Sequence, residues 1–181
     1  VRKLENNELH RLDREAFEAS AKSPIIVILD NVRSHLNVGS IFRTSDAFRI
    51  EKIYLCGITG TPPHRDIQKT ALGATDTVAW EYVEDTVALV GTLKAQGVTI
   101  ASIEQAEGAI MLDKFDASYE RLAVVFGNEV DGVNQSIVHL SDFVIEIPQF
   151  GSKHSLNIAV SAGITIWELT KPHFLSIHIS S

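Results

Sequence analysis

Residues 25–29 read Ile-Ile-Val-Ile-Leu, placed between Pro24 and the polar pair Asp30-Asn31. The run has no polar alternation, so a strand built from it has no solvent face. Such strands belong to parallel sheets covered by helices on both sides. Similar apolar runs recur at Lys52–Cys56, Val98–Ile103, Leu122–Phe126 and Phe143–Ile147. Helical patterns lie between them around Val38–Phe48, Asp85–Gln96 and Ser136–Leu140, and a last helix is expected from about Ser155 to Thr170. Strand and helix alternate, which predicts an α/β fold with a mostly parallel sheet flanked by helices.

The 181 residues suit a single domain. Residues 3–21 read as a charged helix or helix pair with a thin apolar stripe of Leu4, Leu9, Leu12 and Phe17. The expected organisation is an N-terminal helical arm over 1–23, followed by one domain over 24–181. The arm reads either as a packing or dimer element or as a contact for a nucleic acid.

A single cysteine, Cys56, excludes an internal disulfide framework and a cysteine-rich zinc module. The histidines are scattered without an HExxH pair, so no metal site is expected. No apolar run approaches the ~18–20 residues that span a bilayer, and the polar start does not resemble a signal peptide. A cytoplasmic location away from membranes is the expectation.

The 16 basic and 23 acidic residues give a net charge of −7, which weighs against a nucleic-acid partner. The imbalance is uneven: residues 1–50 carry eight Lys/Arg against seven Asp/Glu. A local basic surface is therefore available from Arg2, Lys3, Arg11, Arg14, Lys22, Arg33, Arg43 and Arg49.

Open parallel sheets bind ligands at the carboxyl ends of their strands. Three polar, glycine-containing loops follow strands: Asp30–Gly39, Gly127–Gln135 and Pro148–Asn157. No GxGxxG follows the first strand and no GxxxxGK[ST] occurs, so a nicotinamide-dependent oxidoreductase or a P-loop enzyme lacks its phosphate cradle. In the first loop Asn37 reads as a helix N-cap, and Gly39 permits a close approach. Arg43 reads either as a solvated arginine balanced by Asp46 or as a guanidinium at a cleft rim aimed at a phosphate or hydroxyl. In the second loop Glu129 is either a solvated turn residue or a group that orients an arginine or a ribose, with Gly127 clearing space for a ligand. In the third, Ser155 reads as a cap, while Asn157 has donors and an acceptor to spare. Ala159, Ser161, Ala162 and Gly163 make the last helix slim, suited to tight packing within the subunit or across a dimer.

Taken together, Asn31…Asn37…Arg43…Phe48, Phe126–Gly132 and Ile147–Gly163 resemble the SpoU (TrmH-like) family of the SPOUT class of RNA methyltransferases. The likeness runs from about Pro24 to Leu169. Lys69–Ala74 and Ser102–Gln105 resemble segments that the family carries between these motifs. Gln149 stands where methionine is common, and Ile158-Ala159 where Val-Ser is frequent. The resemblance implies a SPOUT-type fold whose C-terminal segment forms a deep trefoil knot, a topology that ordinary rules exclude. It implies a homodimer, S-adenosylmethionine as cofactor, and methyl transfer to a ribose 2′-hydroxyl of tRNA or rRNA. The cofactor positions it implies are Ser102, Ile103, Phe126, Gly127, Ile147, Gln149 and Leu156. The catalytic group it implies is Arg43, Asn37, Glu129, Ser155 and Asn157. The alternative is a knotted protein that binds RNA or S-adenosylmethionine without turnover.

The family's motif arginine, here Arg43, is commonly assigned as the base. Arginine loses its proton only above about pH 12, so a charged Arg43 that grips the adjacent phosphate and polarises the hydroxyl is physically easier. Larger members carry a separate RNA-binding domain; here only about 23 residues precede the domain.

Overall fold

The computed structural model describes residues 1–173. The apolar tail Phe174–Ser181, which the sequence leaves unexplained, lies outside the described residues. Seven strands form one sheet: β1 Ser23–Asp30, β2 Ile50–Cys56, β3 Trp80–Val83, β4 Thr99–Ile103, β5 Ile110–Met111, β6 Leu122–Phe126 and β7 Phe143–Glu146. Their order across the sheet is β3-β2-β1-β6-β4-β7-β5, and every pairing is parallel. The helices are α1 Arg14–Ala19, α2 His35–Ala47, α3 Arg65–Ala71, α4 Thr86–Ala95, α5 Gln135–Leu140 and α6 Ile158–Thr170.

The unbroken apolar run of β1 has the cause expected of it. Ile25, Val27 and Leu29 pack into a cluster with residues of α2, α3 and α6, including Phe42, Ile67 and Ile166. Ile26 and Ile28 point the other way, against Leu89, Val90 and Leu93 of α4 and Ile137 of α5. All five are fully buried, each contributing roughly 1.5–3 kcal/mol of apolar burial. On the arm only Phe17 joins the core, whereas Leu4, Leu9 and Leu12 remain exposed. The expected stripe is thus reduced to one anchor, and the arm is a 3-10 turn at Asn6–Leu9 followed by α1.

Two contacts fix the helices that frame the carboxyl edge. A Cβ on Gly39 would lie 2.1 Å from Thr70 Oγ1 and 2.3 Å from the Ile67 carbonyl, so α3 crosses α2 on the glycine's bare backbone. Thr70 Oγ1 also donates to the Leu36 carbonyl at 2.9 Å. At the other end of α3 the N-cap His64 accepts from the Asp66 N–H through Nδ1, and its ring stacks on His35 at 3.8 Å. Thus α3 is clamped across the first turns of α2. No helix among the described residues is long and apolar enough to cross a membrane.

Candidate active site

The first turn of α2 is arranged differently from the sequence expectation. Ser34, not Asn37, is the N-cap: its Oγ accepts the Asn37 N–H at 3.3 Å. That shift places Asn37 inside the helix and leaves its side-chain amide for other work. Asn37 Nδ2 donates to Glu129 Oε1 at 3.4 Å, and Asn37 Oδ1 accepts from Asn157 Nδ2 at 3.2 Å. Glu129 also accepts the backbone N–H groups of Arg33 and Ser34, both at 3.2 Å. Burial pushes the Glu129 carboxyl upward. The hydrogen bonds from its own N–H, from Arg33 and Ser34 and from Asn37 outweigh that and hold it below the usual carboxylate range.

Asn157 divides its amide. Its Oδ1 caps α6 by accepting from Ala159 N at 2.9 Å and Val160 N at 3.3 Å, and its Nδ2 reaches Asn37. The expected cap Ser155 lies two residues before this one, exposed on the cleft wall, with no hydrogen bond among the described residues. Asp46 is not the counter-charge of Arg43: it accepts from the Thr77 hydroxyl instead. Arg43 is exposed and makes no hydrogen bond or ion pair among the described residues.

Beside this network lies a cleft of about 610 Å³, formed where β4, β6 and β7 end. Ile103, Phe126, Ile147, Leu156 and Ile158 supply its apolar surface, and Glu104, Gln105, Glu129, Gln149 and Asn157 its polar groups. Of the expected cofactor positions, Ile103, Phe126, Gly127, Ile147, Gln149 and Leu156 line it. Ser102 does not: it is fully buried and its hydroxyl bonds Ser141 Oγ at 2.7 Å. The space beside Gly127 belongs to protein rather than to a ligand. A Cβ there would lie 1.9 Å from the Gly132 carbonyl carbon and 2.1 Å from Val133 N. The β6–α5 loop folds back on itself at that point, with reciprocal Asn128–Gly132 backbone bonds of 3.2 and 3.1 Å.

Within Ser102–Gln105 the sequence pattern assigns no role to Glu104 or Gln105. Glu104 Oε2 accepts the Val133 N–H at 2.9 Å, and Gln105 Nε2 donates to the His154 carbonyl at 2.8 Å. They stitch the β4 loop to both other loops of the cleft. Their place directly after an apolar strand was the available signal. Cys56 is buried and its thiol is pushed up to about 12 by desolvation, so it stays protonated and supplies no nucleophile. No cluster of three or more His, Cys, Asp or Glu among the described residues is arranged to hold a metal ion.

A cleft at the strand ends, bordered by motif residues from three distant segments, can be compared with known proteins. Residues 24–167 match the model of the SpoU rRNA Methylase family. The chain belongs to that family. The 23S rRNA (guanosine-2′-O-)-methyltransferase RlmB of Vibrio vulnificus is 29% identical over 170 residues, covering 93% of this chain and 68% of the relative. The SpoU chain spans about two thirds of the length of several relatives of that name, 60% of the one from Nitrosomonas europaea. Among solved structures, the A. aeolicus TrmH/SpoU tRNA modifying enzyme superposes with a TM-score of 0.79 at 28% identity, covering 90% of this chain and 81% of that one. An AdoMet-bound rRNA methyltransferase from Sinorhizobium meliloti gives a TM-score of 0.78 at 26% identity, covering 91% of this chain and 62% of that one.

Proposed function

We propose that this SpoU protein transfers a methyl group from S-adenosylmethionine to a ribose 2′-hydroxyl of tRNA or rRNA. The observation that carries this reading is the junction of Asn37, Glu129 and Asn157 at the edge of the cleft, on the helix that also bears the unpartnered Arg43. The similar RlmB and TrmH proteins are named as RNA-modifying enzymes, and one similar structure is AdoMet-bound.

The cleft suits the cofactor by size and by chemistry. Its volume of about 610 Å³ falls within the range of small-molecule sites, it has apolar walls, and the carboxylates of Glu104, Glu129 and Asp131 border it. When bound there, S-adenosylmethionine supplies an electrophilic methyl group on a cationic sulfur. Ile103, Phe126, Ile147, Gln149, Leu156 and the backbone of Gly127 would hold it. Ser102 acts only behind the wall, by bracing β4 against Ser141.

The chain's own residues then have distinct tasks. Glu129, kept ionised by its hydrogen bonds, fixes the backbone at Arg33–Ser34 and the rotamer of Asn37. Asn157 locks the start of α6 to Asn37. This network orients α2 so that Arg43 meets the ribose-phosphate from the rim, where its fixed positive charge binds the phosphate and stabilises the alkoxide developing on the attacking oxygen. Ser155, whose hydroxyl is unengaged, positions the ribose. Alignment and charge stabilisation carry the step without a strong protein base: as the ribose oxygen takes the methyl group, its proton passes to solvent water.

The protein acts as a homodimer in this reading. Val160 and Ile164 are exposed at four-residue spacing on α6, and a Cβ on Gly163 would meet nothing within 4 Å among the described residues. Ala159 and Ala162 are small where α6 meets the core, whereas the smallness of Gly163 is not used by the described residues and suits a second copy. The catalytic domain is assigned to residues 24–181, with its later loops and α6 threaded as a trefoil knot, and residues 1–23 are assigned to an accessory arm. The placement of β6 between β1 and β4, and of β7 between β4 and β5, supports the threading. A cytoplasmic location, and a reaction that uses neither metal nor membrane, belong to the same reading.

The test is incubation of the purified protein with bulk RNA and cofactor labelled in the methyl group, followed by nucleoside analysis. Label in 2′-O-methylnucleosides supports the reading. Cofactor binding without transfer assigns the non-catalytic alternative instead.

A further inference from the structure

The chain is acidic overall, yet its cations are sorted. Arg2, Arg14, Lys52, Lys94, Lys114, Arg121 and Lys171 are each engaged by a carboxylate. Lys22 is engaged by the carbonyls of Phe17 and Ser20. Among the described residues, Arg65 and Lys69 are exposed and make no hydrogen bond or ion pair, as is true of Arg43. Asp66 sits beside Arg65 and three residues before Lys69, but no ion pair joins it to either cation.

Both cations belong to α3, four residues apart, so they project from one face with roughly 5–6 Å between their Cβ atoms. The position of α3 is over-determined by Gly39 against Ile67 and Thr70, by Thr70 on Leu36, and by His64 on His35. Gly39 faces α3, and Arg43 is one turn further along the same ridge of α2. Arg43 therefore emerges beside α3, and the first turn beneath α3 is the one that carries Asn37. The side chains of Lys3, Arg11, Arg33 and Lys153 are likewise exposed and unengaged among the described residues, but on other segments; Arg43, Arg65 and Lys69 are the ones carried together by the clamped pair α2 and α3, next to the turn that bears Asn37.

We infer that Arg65 and Lys69 grip successive phosphates of the RNA strand and feed it past Arg43. This rests on the reading above that RNA is the substrate. It explains how a chain of net charge −7 holds a polyanion, since acidic residues elsewhere do not neutralise cations that they do not pair with. The grip is independent of base sequence and acts on affinity and register.

The experiment uses a fluorescein-labelled oligoribonucleotide of mixed sequence, with anisotropy read across a series of KCl concentrations. It compares wild type, the double variant Arg65→Gln/Lys69→Gln, and Lys114→Gln, whose lysine is paired with Asp113. The slope of log affinity against log salt should become shallower by about 1.4 in the double variant, because each phosphate contact to a single strand carries about 0.7. Lys114→Gln should keep the wild-type slope. In methylation assays the double variant should raise the KM for bulk RNA and leave kcat and S-adenosylmethionine affinity unchanged. An unchanged slope in the double variant, or a wild type with no measurable affinity for the oligoribonucleotide, overturns the inference. A wild type that binds the oligoribonucleotide but not S-adenosylmethionine would sink the methyl-transfer reading instead, and the salt slopes would still decide the grip.

Discussion

Asn157 donates its side-chain amide to Asn37 Oδ1 at 3.2 Å, across a sequence separation of 120 residues. The same Asn157 caps α6, and the same Asn37 reaches Glu129. One hydrogen bond therefore couples the start of two helices to the loop that carries the site's carboxylate. Asn157→Ala removes the cap as well as the link and should cost about 0.5–2 kcal/mol of stability. Asn37→Ala removes the link together with the bond to Glu129. A double-mutant cycle by urea unfolding should return a coupling of roughly 0.5–1.5 kcal/mol. Strict additivity would mean the bond does not order the site.

Glu129 carries a pH signature. Its folded-state carboxyl is held below the ordinary value, so its hydrogen bonds stabilise the protein above the unfolded-state value of about 4.5 and lose that effect as pH falls through the lower folded value. The stability gap between wild type and Glu129→Gln should be widest near neutrality and close in acid below the ordinary carboxylate range. Denaturant titrations at stepped pH check this. A gap that widens in acid would contradict the assignment of Glu129 as an ionised anchor.

Two glycine-to-alanine changes should act in opposite directions. Gly127→Ala drives a Cβ against the backbone of Gly132 and Val133 and should destabilise by about 1–3 kcal/mol or force the loop open, with loss of cofactor binding. Gly91→Ala, in the interior of α4 with open space around it among the described residues, should stabilise by about 0.4–1 kcal/mol. Thermal unfolding of both variants reads the contrast.

The strand frame was legible in the sequence because β-branched runs without polar alternation have one physical outcome. β3 and β5 were not: Trp80–Val83 is half-exposed and Ile110–Met111 is two residues long, so neither carries a hydrophobic period. α3 hid for a related reason, since only Ile67 and Ala71 of its seven residues are buried. The caps were misplaced by one candidate each. Asn37 and Ser155 have the right chemistry, but the chain turns into the helix at Ser34 and at Asn157, where polar residues of equal quality stand. The insertion of β6 beside β1 is a non-local pairing that no local pattern announces. The meeting of Asn37, Glu129 and Asn157 was reachable only through the resemblance, and the buried turn of Ser102 toward Ser141 was not reachable at all.

The α6 stripe gives a prediction about assembly. Val160→Glu with Ile164→Glu places two carboxylates on surface that is half and two-fifths exposed in the single subunit, at 50% and 39%. The subunit itself should stay folded by circular dichroism. Sedimentation should show wild-type dimers and variant monomers, and methyl transfer should fall with the dimer. A monomeric, active wild type would contradict the role given to this face.

The central claim is that Arg43 acts on the RNA at the rim and not on the cofactor in the cleft. Arg43→Ala should be assayed twice on the same preparation, for methyl transfer to bulk RNA under single-turnover conditions and for S-adenosylmethionine affinity by calorimetry. The account predicts a loss of transfer of at least about a hundredfold, with cofactor affinity within a few-fold of wild type. Transfer at wild-type rate, or cofactor affinity lost in step with transfer, would contradict it.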